Sequence, residues 1–173
     1  MEKLTDRIKI LSNGKYILPY CNCLLIEDEI NCLCDSSPPD QEMEHLDGIE
    51  ISLIANSHGH TDHNSRNYLF PDARVLLHPL EHERVTSPEA YLLAYGFNLY
   101  PAEDVRPIYL DAVKYHSRPA DGELEDGQII STGKVKFQVI HLPGHSGGHC
   151  GFFFPEEGFI FTADIHPAIK PFY

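Results

Sequence analysis

The sequence predicts an α/β sandwich, and three observations predict it. EISLIANS at 50–57 is a nearly continuous apolar run, the pattern of a strand buried on both faces. Strand-like runs come before it, a helical stretch follows at 88–97, and four further strand-like runs close the chain, the order of a layered α/β fold. Length and balance agree: 173 residues with 42% hydrophobic and 23% charged content suit one soluble domain with a substantial core.

Taken in order, strands are expected at roughly 15–19, 21–27 and 30–35, with the acidic EDE at 27–29 as a hairpin turn. SSPPD at 36–40 stops the third strand, and Asp40 is placed to cap a short helix, QEMEHL. After EISLIANS, NYLF is weakly helical, RVLLHP at 74–79 reads as a strand, and PEAYLLAYGF at 88–97 as a helix. Segment 101–127, rich in proline and charge, has the weakest pattern and reads as an ordered insertion or lid. QIIS, KVKFQVIHL, HCGFFF and GFIFTAD are the four closing strands, with PEEG at 155–158 as a tight turn.

Thirteen basic against 26 acidic residues give a net charge of −13, a surface that repels a phosphate backbone, so no nucleic-acid partner is expected. No apolar run reaches the length of a membrane span. The opening MEKLTDRIKILSNG lacks the apolar core and cleavage site of a secretory signal, which points to the cytoplasm. Five cysteines, an odd number, argue against a fully paired secreted framework. Cys21 and Cys23, like Cys32 and Cys34, alternate within apolar runs, so each pair shares one strand face and reads as core packing. Their single-residue spacing is shorter than that of most zinc-binding cysteine pairs.

The informative stretch is SHGHTDHN at 57–64, directly after the buried strand. His58 and His60, at i and i+2, project to one side of extended chain and can share one metal ion. Asp62 and His63 are adjacent, point differently, and are placed for a second ion. His145, in the glycine-rich turn after KVKFQVI, and Asp164, ending GFIFTAD, are ligand types at strand ends, as a two-metal site requires.

HGHTDH, then LPGHS, then FTAD, together with the strand ending CLCDSS, resembles the metallo-β-lactamase fold superfamily of metallohydrolases over residues 21–165. The resemblance implies a four-layer αββα sandwich with the site at one edge, between two sheets. It implies that His58, His60 and His145 hold a first metal, that Asp62 and His63 serve a second, that Asp164 bridges the two, and that Asp35 stands behind them. His78, His141 and His149 read as structural. The chain departs from the pattern in three places. Asn64-Ser65-Arg66 stands where glycines usually follow the Asp-His pair, and Ala163 stands where a glycine usually precedes the bridging aspartate. The family's remaining second-metal histidine lies well past that aspartate, whereas this sequence ends at Tyr173, and His166 is too near to replace it. The expectation is therefore a single domain over 1–173 lacking the family's C-terminal part.

The function implied is a metal-dependent hydrolase of a small-molecule ester, thioester, lactone or phosphoester. Up to two zinc ions would lower the pKa of bound water to give a hydroxide nucleophile, with Asp62 orienting it and carrying its proton. No serine or cysteine nucleophile is needed. Imidazole and carboxylate do not select zinc sharply, so iron and manganese remain open. His58, His60 and Asp164 also match the iron set of the persulfide-oxidising branch, the first alternative. The second is a non-catalytic metal-binding or oligomerising domain, whose exposed sheet edges would pair with another copy as a homo-oligomer.

Overall fold

The computed structural model describes residues 1–12, 14, 18–99 and 105–165. It contains two sheets. The first has seven strands in sequence order: β1 (Glu2–Lys3), β2 (Ile8–Leu11), β3 (Cys23–Ile26), β4 (Cys32–Cys34), β5 (Leu53–Ala55), β6 (Arg74–Leu77) and β7 (Gly122–Glu123). β1 to β4 are antiparallel neighbours, and β4 to β7 run parallel. Parallel neighbours need crossovers. The first holds α1 (Asp40–Met43), extended by a 3₁₀ turn over Glu44–Leu46, and the second holds α2 (Thr61–Asn64). The third holds a 3₁₀ segment (Pro79–Val85), α3 (Pro88–Ala94) and α4 (Arg106–Ala112). The second sheet has four antiparallel strands in the order β11 (Phe159–Phe161), β10 (Cys150–Phe154), β9 (Lys136–His141), β8 (Ile129–Ser131).

The central strands β3 to β6 of the first sheet are buried on both faces because they are apolar at successive positions. Leu24, Ile26, Cys32, Cys34, Leu53 and Ala55 pack against Phe137, Val139, Phe152 and Phe154 of the second sheet. Cys23, Leu25, Leu33, Ile54 and Val75 face the other way, against Leu46 and Met43. The second sheet alternates: Phe137, Val139 and Phe152 are fully buried, while Ile129, Phe153 and Ile160 are exposed. The described residues thus form one helical layer and two sheets of an αββα sandwich.

The closing strands, the 27–29 turn and the buried strand within 50–57 lie where the sequence puts them. Elsewhere the boundaries shift for local reasons. Asp40 is the first helical residue, not the cap. Pro39 occupies the cap position with no side-chain bond, and the Asp40 carboxylate instead pairs with Arg66 and accepts from the Tyr20 hydroxyl (3.0 Å). β6 stops at Leu77 because His78-Pro79 opens the 3₁₀ segment, where proline suits the first helical position. Of the strand expected at 15–19, residues 15–17 lie outside the described residues, and Leu18 and Pro19 form a turn. Segment 101–127 contributes α4 and the edge strand β7, and its residues 101–104 lie outside the described residues. All five cysteines are free and buried, in the core positions that the alternation implies.

Asp28 ties the two sheets together at the edge away from the histidines. Its Oδ2 accepts from Val135 N–H (2.7 Å), Lys134 N–H (2.8 Å) and the Thr132 hydroxyl (3.0 Å), all in the β8–β9 turn. Burial alone would raise its pKa, but these bonds favour the charged form and hold it below the ordinary carboxylate value. A folded-state pKa below the unfolded one gives stability that is present above the unfolded value and lost as pH falls through the folded one. Asp28→Ala is therefore expected to lower unfolding free energy by about 2–3 kcal/mol at pH 7. In urea titrations the gap from wild type should narrow below about pH 4, and a pH-independent gap would show that the charge is not responsible.

Candidate metal centre

The site forms where β4, β5, the β9–β10 turn and the end of β11 meet. Asp35 follows β4, and its backbone φ of 60° lies in the left-handed region, unusual for a non-glycine residue and tolerated where neighbours hold it. Its N–H donates to Ala55 O (3.0 Å), and its carboxylate points at the loop after β5. There Asp35 Oδ1 accepts from Ser57 N–H (2.7 Å), while Oδ2 accepts from the Ser57 hydroxyl (2.8 Å) and from His63 Nδ1 (2.7 Å). Asn56 ties the same loop to α2 by donating to His63 O (3.1 Å), and Cys150 N–H donates to Ser57 O (2.8 Å), docking the second sheet on it.

These bonds fix the histidine tautomers. Ser57 has one hydroxyl hydrogen, and the Asp35 carboxylate can only accept, so Ser57 donates there. At 3.0 Å from Ser57 Oγ, His58 Nδ1 must then be the donor. His58 Nε2 is left as a bare lone pair, buried and without a hydrogen-bond partner among the described residues. The His58 ring lies 4.4 and 4.8 Å from the rings of His60 and His145. One ring nitrogen from each of His58, His60 and His145 falls within a mutual 4.8 Å. His145 Nε2 is 2.9 Å from His60 Nδ1.

The second cluster shares His58 and adds His63 and Asp164, again within 4.8 Å. His63 Nε2 is 3.1 Å from Asp164 Oδ1, and Asp164 Oδ2 is 3.3 Å from His145 Nε2. One carboxylate thus reaches both clusters, one oxygen to each. Asp62 stands further off, with Oδ2 3.7 Å from His63 Nε2. Ala163, just before Asp164, has φ 46°, so the position where the family carries glycine keeps glycine's backbone geometry with an alanine in it.

The charges follow the same division. Burial, then neighbouring imidazoles, hold His58 well below the usual histidine range, and burial with His145 lowers His60 to about 4. Both are neutral at pH 7, the form that ligates metal. Burial also disfavours the charged form of His63, but Cys21, Asp35 and Asp164 around it outweigh this and push it well above the usual range. Asp164, despite burial, is lowered by its bond to His63. Asp62 is raised, first by burial. The donor set fits a metal. Three imidazoles stand together with one buried nitrogen unpartnered, and His63 and Asp164 meet where a cation would serve the same carboxylate. A further trio, Cys21, Asp35 and His63, also lies within 4.8 Å. There the Asp35 and His63 atoms are spent on each other, and burial raises the Cys21 thiol, so the trio supports the site rather than forming another.

Sequence reading missed two residues, Ser57 and Glu81. Ser57 is one more small polar residue in a polar loop, and nothing in the chain marks it as the relay between Asp35 and His58. Glu81 is fully buried although it sits in the charged run EHER, and nothing in the sequence singles it out. His78 and His141 stack on each other (4.4 Å, 9°) away from the clusters. His149 is fully buried, 5.0 Å from the His58 ring, with burial lowering it to about 4. His166 lies outside the described residues. GHSGG at 144–148 has the letters of the serine-hydrolase elbow, G-x-S-x-G, but not its setting. Ser146 lies in the turn between antiparallel β9 and β10, whereas the elbow joins a strand to a helix.

The described residues thus form a two-sheet sandwich with a histidine cluster and a histidine–aspartate cluster at its edge. The family model described as Metallo-beta-lactamase superfamily matches residues 17–171, and the chain belongs to that superfamily. A metallo-beta-lactamase family protein from Thermus thermophilus is 25% identical, with TM-score 0.72 over 98% of this chain and 63% of that one. A subclass B3 metallo-beta-lactamase of Bradyrhizobium japonicum shares the fold at TM-score 0.61 and 17% identity, covering 87% of this chain and 54% of that one. A hydroxyacylglutathione hydrolase of Cereibacter sphaeroides is 41% identical over 46 residues, 27% of this chain but only 18% of that protein. This chain therefore spans less than two thirds of these relatives. No helix among the described residues is long and apolar enough to cross a membrane.

Asp35→Ala would leave the Ser57 N–H and hydroxyl and the His63 imidazole without their common acceptor. The expected loss is about 3–5 kcal/mol in urea unfolding of the metal-free protein, the range for breaking a buried charged pair. A loss below about 1 kcal/mol would mean that Ser57 and His63 find other partners.

Proposed function

We propose that this chain is a metal-dependent hydrolase acting on an activated carbonyl, a thioester before the other esters. The observation that carries the metal reading is the unpartnered buried Nε2 of His58, set among His60 and His145. His58, His60 and His145 are the first-metal ligands in this reading, Asp62 and His63 serve a second ion, and Asp164 bridges. Zinc is the first metal to test, since its sites commonly combine histidine and carboxylate ligands. Such a metal, when bound, polarises the substrate's oxygen and lowers the pKa of a water molecule.

The chain's own residues supply the rest. The bond from Ser57 to Asp35 keeps His58 Nε2 free of its proton, and Asp35 holds His63 by Nδ1 so that Nε2 faces the site. Burial raises the Asp62 carboxyl above the ordinary carboxylate value, and in this reading Asp62 takes a proton from water and passes it on. The Tyr95 ring stands 5.7 Å from His60, and the Tyr91 hydroxyl is 3.3 Å from Thr61 Oγ1, so α3 forms an aromatic wall beside the centre. Thioesters come first because of two relatives' names: the hydroxyacylglutathione hydrolase, and an atrochrysone carboxyl ACP thioesterase of Aspergillus fumigatus, 39% identical over 51 residues, 30% of this chain and 16% of that protein. The acidic composition favours a small-molecule substrate over nucleic acid.

The His58→Ala/His60→Ala double variant should elute from a desalting column with zinc at background by elemental analysis. Retention at the wild-type level would remove these residues from the ligand set. Asp62→Asn should leave circular dichroism unchanged and cut thioester turnover by about 10²–10⁴-fold, the usual contribution of a positioned proton acceptor. Unchanged turnover would make Asp62 a bystander.

A further inference from the structure

The two halves of the first cluster belong to different sheets. His58 and His60 follow β5 of the first, and His145 precedes β10 of the second. Three imidazoles that close on one ion must be held at a fixed separation, and two sheets packed through apolar side chains do not by themselves set it. Glu81, in the 3₁₀ segment after β6, reaches both loops. Its Oε2 accepts from Gly59 N–H (3.1 Å), the residue between His58 and His60. Its Oε1 accepts from Gly148 N–H (2.7 Å), in the turn that carries His145. Arg84 Nη1 donates to Oε2 (3.0 Å) and balances the charge. The carboxylate is fully buried, so these bonds are its compensation for leaving water.

The glycines show how close the approach is. A Cβ on Gly59 would lie 2.9 Å from Glu81 Oε2, and one on Gly148 would lie 2.7 Å from Glu81 Cγ and 2.8 Å from His78 Nδ1. Neither glycine has a φ in the left-handed region, so close contact, not backbone conformation, calls for glycine at both positions: with Glu81 at Gly59, and with Glu81 and His78 at Gly148. We propose that Glu81 is a positioning residue: without touching the metal, it clamps the His58–His60 loop to the His145 turn and so sets the geometry and affinity of the first metal site. This rests on the reading of those histidines as ligands.

The test is zinc titration with a competing chromophoric chelator, on wild type, Glu81→Gln and Gly148→Ala. A glutamine has one acceptor oxygen and can hold one loop but not both, and an alanine at 148 pushes its turn off the carboxylate. Both variants should stay folded by circular dichroism and bind zinc about 10–100-fold more weakly, the usual effect of losing a group that orients ligands. The visible bands of the cobalt(II)-loaded variants should shift from wild type, because they report coordination geometry. In metal-free Glu81→Gln, the Gly59 or Gly148 amide should exchange faster with deuterium. Wild-type zinc affinity and cobalt spectrum in a folded variant would overturn the clamp and leave the ligand assignment standing. If Glu81→Gln does not fold, the same comparison in Gly148→Ala decides. Wild-type protein that binds no zinc would overturn the ligand assignment, and the clamp with it.

Discussion

The site depends first on the Asp35 carboxylate. It is fully buried, held in a left-handed backbone conformation, and it accepts from the backbone and hydroxyl of Ser57 and from His63. Because a carboxylate only accepts, every group facing it must donate, and that one constraint propagates. Ser57 gives up its hydrogen, His58 must offer Nδ1–H to Ser57, and His58 Nε2 is left as a buried lone pair without a hydrogen-bond partner. The same carboxylate orients His63 directly. One acid thus decides the proton positions on two imidazoles, one of which, His58, is shared by both clusters.

The division of labour between the sheets follows. The first sheet, apolar on both faces, is the rigid part, and its parallel strands end together at the site. The second brings His145 and Asp164 on its strand ends, with Cys150 N–H bonded back to Ser57 O. At the opposite edge Asp28 gathers the β8–β9 turn. The two sheets are therefore joined by hydrogen bonds from backbone amides at both ends and by apolar packing between, so a change at either end alters how the ligand loops meet.

Much of this was legible in the sequence. The alternating cysteines, the EISLIANS run and the four closing strands carry their burial in their patterns, because strand burial is written in local periodicity. The histidines and Asp164 were legible from residue type and spacing, and the structure draws them together. What was not legible is whatever depends on contacts distant in sequence. Asp40 looks like a helix cap until Arg66 and Tyr20 draw its carboxylate away. Ser57 becomes a relay only when Asp35, 22 positions earlier, is folded over it. Glu81 is unmarked in the sequence and gains its place only when Gly59 and Gly148 close on it from two sheets. Boundaries slipped where a proline set the start of a turn, as at His78-Pro79.

The five buried thiols bear on how a metal can stabilise this fold. In the native chain they pack as apolar groups in both cores, with Cys21 beside His63. Unfolding releases them, with 11 histidines, as ligands with high intrinsic affinity for soft and borderline ions. An ion such as zinc then finds partners in the denatured ensemble as well as in the native site, and only the difference in affinity adds to folding free energy. Raising the concentration of a thiophilic ion would therefore protect the fold less than occupancy of the native site suggests, and at high concentration would retard refolding by holding unfolded chains in non-native cross-links.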